Sequence, residues 1–296
     1  MKEADDVMDR LVSQIPEDYQ AHLSRWRYRR DFGLIQIGET ANQGDLQLEE
    51  AGKDIQSALS RKPDSVEVLL AAADLERIRA RVVADDTGKS VQKRQKEIQN
   101  HRQVALDYLR KAEELVKPEP TTSGEHKLFQ ILWHKGNLLL DEMDLQYVFA
   151  DTNTTPGAEE NPATEQVRQI ISRVRKLQMV SAADYMEGRW LIHEGKWGDA
   201  ASKFERARAQ LSGQRDLACQ VDLYLGMCYE RLQEPAQMFN SYKRVLEFDA
   251  ESVPALLGMA SARWAQGQLD NALSQYQLLM KQNKVPTRAW TDIARL

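Results

Sequence analysis

The chain has 296 residues, 40 basic against 45 acidic for a formal charge of −5, with only nine prolines and 15 glycines. That mildly acidic balance argues against a general nucleic-acid binder, which is usually basic. No apolar run of about 18 residues is present and the opening Met1-Lys2-Glu3-Ala4-Asp5-Asp6 has no apolar core, so neither a membrane span nor a signal peptide is expected within this chain.

Ala, Leu, Gln, Glu and Arg are abundant, and every apolar pattern follows the helical period, so an all-α chain is predicted. Ala4 to Pro16 carries Val7, Met8, Leu11, Val12 and Ile15 at helical spacing and ends in Pro-Glu-Asp. Tyr19 to about Ile37 is the next predicted helix. Gly38 to Asp45 has loop composition, and Ala51 to Arg61 is helical again. Ser65 to about Ala84 and Val104 to Val116 form a further pair, separated by an insertion of Asp85-Asp86-Thr87-Gly88 and a very polar Val91 to Asn100, so both helices are expected to be extended. Lys117 to Gly124 reads as a linker, Glu125 to about Gln146 as a helix built on Leu132, Gly136 and Leu139, and Asp151 to Pro162 as a turn-rich acidic loop. Ala163 to Leu177 follows, with Val167, Ile170, Ile171 and Val174 on one face.

From Ser181 to Pro286 a pattern of small and large residues comes three times and is read as a 34-residue step. Gly188 goes with Leu191, Ala200, Phe204 and Ala207; Gly226 with Tyr229, Tyr242 and Val245; Ala260 with Gly267, Ala272 and Tyr276. These residues resemble the tetratricopeptide repeat, a helix-turn-helix unit in which a small eighth residue lets helix A approach helix B and a large aromatic fills the space between units. The resemblance implies an α-α superhelix with irregular, long-insertion repeats over 1–178 and regular ones over 179–296. It places Ala51, Ile55, Ala58, Ala105, Leu109 and Ala112 on buried B-helix faces. Thr287 to Leu296, with Trp290 and Ile293, then reads as a half-repeat, as does Ala4 to Pro16, and the chain is expected to be a piece of a longer array.

Catalytic and metal chemistry find little support. Asp86-Thr87-Gly88-Lys89-Ser90 looks like the end of a phosphate loop, but Val83 stands where the first Gly is needed. His22, His101, His126, His134 and His193 include no pair four residues apart. Cys219 and Cys228, nine residues apart on one predicted helix, are about 13 Å apart, too far for a disulfide. No Gly-x-Ser-x-Gly context exposes a nucleophile, and Asn153-Thr154-Thr155 has the glycosylation sequon form without a secretory context. The expectation is no enzyme, no metal and no cofactor. Arg25-Trp26-Arg27-Tyr28-Arg29-Arg30 mixes cations with aromatics, yet on a helix Arg25, Arg27 and Tyr28 leave the face shared by Trp26, Arg29 and Arg30, which predicts a packed aromatic among solvated arginines rather than a nucleic-acid stripe.

In the resembled family the A helices line a concave groove. Carried over, the partner-binding residues are Trp133, Asn137, Tyr185, Arg189, His193, Met227, Glu230, Arg231 and Trp264, with Leu140, Ile192, Leu223, Leu257 and Ser261 beside them. The carboxylate-gripping set of some members is poorly matched: of Trp133, Asn137, Tyr185, Arg189, Leu223 and Met227, two have suitable side chains. The expected role is a non-catalytic protein-protein interaction scaffold that binds a peptide or partner domain and no nucleic acid. The alternatives are a regulatory or assembly arm of a larger enzyme or export machine, and a scaffold self-associating through open repeat ends.

Overall fold

The computed structural model describes residues 2–36, 41–86, 88–116, 122–149, 162–211 and 214–281. Among the described residues the chain is all-α, with thirteen helices and no strand. They fall into two compact units, Met1–Phe149 and Ala150–Leu296.

The first unit holds α1 (Lys2–Gln14), α2 (Tyr19–Gln36), α3 (Ala41–Arg61), α4 (Val66–Asp85), α5 (Val91–Leu115) and α6 (Thr122–Phe149). Each packs on the next in sequence, and α4 also packs on α6. Leu23 and Trp26 of α2, Ala51, Ile55 and Ala58 of α3, and Val68, Ala71 and Leu75 of α4 form one core. Leu69 and Ala73 of α4, Ala105, Leu109 and Ala112 of α5, and Ile131 and Leu138 of α6 form the next. The B-helix residues expected to be buried are buried. Two loop readings are corrected: Asn42-Gln43-Gly44-Asp45 lies inside α3, and Thr122, Ser123 and Gly124 open α6. Turn-forming residues are tolerated in a helix's first turn, where backbone N–H groups have no intrahelical partner in any case. The polar Val91 to Asn100 is helical, as the extended-helix reading requires. Ser65 and Ser90 cap α4 and α5, accepting from the backbone N–H of Val68 and Lys93. Ser90 thus ends the phosphate-loop look-alike, in which Lys89 pairs with Glu97 at 2.7 Å and Asp86 at 3.4 Å.

The second unit holds α7 (Pro162–Lys176), α8 (Val180–His193), α9 (Trp197–Ala209), α10 (Arg215–Arg231), α11 (Pro235–Phe248), α12 (Val253–Ala265) and α13 (Leu269–Lys281). Successive helices pack, and α10 also contacts both α8 and α12. The loop expected over Asp151 to Pro162 falls outside the described residues except for Pro162, which begins α7; Thr287 to Leu296 lies outside them entirely.

The even 34-residue step is corrected: 38 residues separate Gly188 from Gly226, and 34 separate Gly226 from Ala260. The difference lies at the start of α10, where eleven residues precede Gly226, against eight before Gly188 in α8 and seven before Ala260 in α12. The A–B register is constant all the same, because each turn is built alike. Gly195 (φ 70°), Gln233 (φ 60°) and Gly267 (φ 76°) take the left-handed conformation after α8, α10 and α12. The next residue's N–H then reaches back five residues: Lys196 to the Leu191 carbonyl at 3.0 Å, Glu234 to Tyr229 at 2.9 Å, and Gln268 to Arg263 at 2.9 Å. This is a helix-ending motif that satisfies the last carbonyls and fixes where the B helix starts.

Small residues then allow close approach. A Cβ on Gly188 would lie 2.8 Å from the Phe204 ring, and one on Gly226 2.5–2.7 Å from Cζ, Cε1 and Cε2 of Tyr242. A Cβ on Gly258 of α12 would fall within 2.5 Å of three atoms of the same Tyr242 ring. The Tyr242 ring, 4% exposed, is therefore held between glycines of two A helices.

Buried carboxylates fasten the stack. Asp184 of α8 is fully buried and meets Arg175 of α7 at 3.2 Å, Arg206 of α9 at 3.2 Å and Lys203 of α9 at 3.8 Å. Asp222 of α10, 3% exposed, meets Arg208 of α9 at 2.8 Å and Arg244 of α11 at 2.7 Å. A carboxylate this deep is tolerated only when paired and hydrogen-bonded.

Candidate functional site

The helix pairing places the A helices α8, α10 and α12 side by side in the second unit, and six of the predicted groove residues, together with Trp264, sit on them. Tyr185, Arg189 and His193 recur every four residues along α8 and share one face. All three are buried, at 2%, 2% and 8% exposure. Tyr185 sits edge-on to Phe204 and Tyr224, whose rings are stacked with centroids 5.2 Å apart. Its hydroxyl donates to Gln220 Oε1 at 3.1 Å. The Arg189 guanidinium lies over the rings of both Tyr185 and Tyr224, at 5.9 and 5.5 Å. These side chains tie α8 to α9 and α10.

On α10 the picture differs. Met227 is 43% exposed, Glu230 is half-buried, and Arg231 is exposed with its guanidinium 5.4 Å above the Trp197 ring of α9. Leu223 is half-buried on the same helix, and Leu257, Ser261 and Trp264 are half-buried on α12, with Trp264 packed on the core of Leu256, Ala260 and Tyr276. Trp133 and Asn137 belong to α6 in the first unit. Buried Asn137 donates from Nδ2 to the Trp133 carbonyl of its own helix at 2.9 Å, and the Trp133 ring lies 6.2 Å from Phe129.

The first unit has its own cleft, of about 390 Å³, between α2, α4 and α6, lined by Trp26, Arg27, Arg30, Glu67, His126 and Lys127 among others. Trp26 is packed at 2% exposure, as expected, but the arginines of its run are ion-paired rather than simply solvated. Arg25 and Arg29 both reach Asp54, at 2.6 and 2.7 Å, Arg27 holds Glu67, and Arg30 reaches Asp74 at 3.3 Å. Asp54, 1% exposed, is a partner the sequence run did not announce. Burial pushes the Asp74 carboxyl up, but the charges of Arg77, His134 and Arg30 overcome it and hold it below the usual range. Burial lowers the His134 imidazole despite nearby Asp74. Glu76 is likewise held low: burial opposes ionisation, while hydrogen bonds from His101, 2.6 Å away, and Arg79 favour it.

No nucleophile is activated among these groups. Burial pushes the Cys228 thiol up to about 12 and also raises Cys219. The Tyr229 phenol is pushed up to about 12 by burial and by its hydrogen bond to Glu205. Among the described residues no group of three metal-ligating side chains converges, and no helix is long and apolar enough to cross a membrane.

These features define a helix-pair repeat protein. No protein-family model matches the chain, and no curated protein does. Among solved structures it is similar to the crystal structure of the P58(IPK) TPR domain, at 18% identity over 99% of this chain and 92% of that one, with a TM-score of 0.37. The pairing and turn geometry described above, and not this likeness, carry the fold reading.

Proposed function

We propose that the chain is a tetratricopeptide-type scaffold without catalysis of its own, and that it binds a protein or peptide on the face shared by α8, α10 and α12. The observation that carries this is the accessible strip on α10 and α12: exposed Met227 and Arg231, with half-buried Leu223, Glu230, Leu257, Ser261 and Trp264 around them. Met and aromatic side chains beside a few charges are the usual make-up of an interface centre. Tyr185, Arg189 and His193 then act as the floor that sets the spacing of α8 and α10, while Met227, Glu230, Arg231 and Trp264 meet the partner. In the first unit, taken by itself, half-buried Trp133 with buried Asn137 beside it on α6 is proposed as a separate, secondary contact. The regular repeats of 179–296 are the part that carries recognition.

Self-association is a second reading, favoured by Val7 of α1 and Ile15 just after it, which are 52% and 44% exposed. The test uses a photo-crosslinking residue placed at Met227 or at exposed Lys243 of α11, in the full chain mixed with extract from its native source. The reading requires a partner crosslinked from position 227 and not from 243, and lost when Arg231→Glu is added. Equal crosslinking from both positions, or none from 227, defeats it. Crosslinks only between copies of the chain favour self-association.

A further inference from the structure

A second cleft, of about 530 Å³, opens between α7 and α8, on side chains that the α8–α10–α12 face does not use. Its floor is the Trp190 ring and Ile171, and its rim carries Arg168, Arg175 and Lys176 of α7. The rim's one carboxylate is Glu187, already held by Arg175 at 2.5 Å and Lys203 at 2.9 Å. With their ion-pair partners counted, six cations (Arg168, Arg175, Lys176, Lys196, Lys203 and Arg206) stand against three carboxylates (Asp184, Glu187 and Glu194), a positive excess in a chain whose net charge is −5.

Arg168 lies over the Trp190 ring at 4.7 Å and reaches Glu194 at 3.3 Å, while its side chain remains half exposed. Exposed pairs of this kind are weak, so an incoming carboxylate can compete for the guanidinium. The buried Trp190 Nε1–H has no acceptor among the described residues.

We propose that this cleft binds a short acidic peptide segment of a partner protein, with one apolar side chain set against Trp190 and Ile171 and carboxylates on Arg168, Arg175 and Lys176. The cations are spread from Arg168 to Lys176 of α7, eight steps or roughly 12 Å at the helical rise, which is the span of about four residues of extended peptide. A single phosphate would need donors that converge on one point. A nucleic-acid backbone would also have to pass Glu187 and Glu194 beside an apolar floor.

The test titrates the full chain with a fluorescein-labelled peptide of sequence Glu-Glu-Asp-Phe-Glu-Asp at low and high salt. Expected are saturable binding that weakens with salt, a loss of about tenfold in the Arg168→Gln, Lys176→Glu double variant, and no loss in a variant of the same charge change at exposed sites elsewhere, Lys243→Glu with Arg110→Gln. A photoreactive analogue at the peptide's Phe should crosslink to α7 or α8 of the unaltered chain, which decides the matter even if the double variant folds poorly. The proposal is overturned by absence of binding, by crosslinks elsewhere, by equal loss in the charge-matched variant, by undiminished binding when the peptide's Phe is replaced by Ser, or by displacement with inorganic phosphate or single-stranded RNA at equimolar amounts.

Discussion

Replacing Gly258 with Ala sets two effects against each other, and the structure decides between them. In a helix interior Ala is favoured over Gly by about 1 kcal/mol. The added methyl, however, falls within 2.5 Å of three Tyr242 ring atoms, where carbon pairs normally rest at about 3.5–4.0 Å. The ring's retreat is limited, because Gly226 of α10 also lies against it, where a Cβ would come within 2.5–2.7 Å of three of its atoms. Overpacking of this kind costs about 1–3 kcal/mol, and a displacement of more than an ångström belongs at or above the upper end. Gly258→Ala is therefore expected to destabilise by about 2 kcal/mol net, lowering the melting temperature by roughly 4–8 °C for a unit of this size. Gly198→Ala in α9, where a Cβ would meet nothing within 4 Å, is the internal reference and should be neutral or stabilising. In a Tyr242→Leu background the clashing ring atoms are gone, so Gly258→Ala should return to stabilising, a coupling of roughly 2–3 kcal/mol by double-mutant cycle. Calorimetry of the four variants reads this directly. An unchanged Gly258→Ala effect in the Tyr242→Leu background would refute the clamp.

Gln233→Gly should raise the melting temperature by about 2–4 °C, since a side chain in the left-handed region costs about 1–2 kcal/mol; the gain is trimmed by loss of the Gln233 Nε2 bond to the Glu230 carbonyl, and a fall in stability would disprove the strain. His134 supplies a pH effect in the first unit. Burial lowers its folded pKa, so between that value and the unfolded value of about 6.5 the unfolded chain binds more protons. Stability should then decline as pH falls below about 6.5, and His134→Gln should flatten that slope in urea titrations followed by circular dichroism.

Much of the second unit was legible in the sequence because packing there depends on residue size. Gly188, Gly226 and Ala260 stand where an aromatic 16 residues later must fit, and that pairing survives the change of step from 38 to 34. Gly258 escaped notice because it lies outside the repeating set and meets the ring from the neighbouring pair. The starts of α3 and α6 were misread because Asn, Gly and Ser suit both a turn and a first helical turn. Charge hid the rest. Asp54, Asp184 and Asp222 look like surface residues until the opposed arginines are placed in space, although an Asp four residues before each of Gly188 and Gly226 was an available sign. Seven of the nine residues expected to line a groove fall on α8, α10 and α12, and Trp133 and Asn137 on α6, but sequence position did not separate the buried Tyr185 and Arg189 from the exposed Met227 and Arg231.

The carboxylate fasteners bear on how such an array changes length. Arg206 and Arg244 each lie 22 residues after the aspartate they hold, Asp184 and Asp222. Excision of the 38-residue block from α9 through α10 would bring Arg244 into the place of Arg206, leaving Asp184 with a guanidinium at the same distance along the chain. Duplication of that block would supply each new aspartate with an arginine in the same way. Gain or loss of this block strands neither buried aspartate, whereas an insertion or deletion between an aspartate and the arginine 22 residues after it changes that spacing. The charge register thus permits this block to be gained or lost whole and penalises a change of length between each aspartate and its arginine.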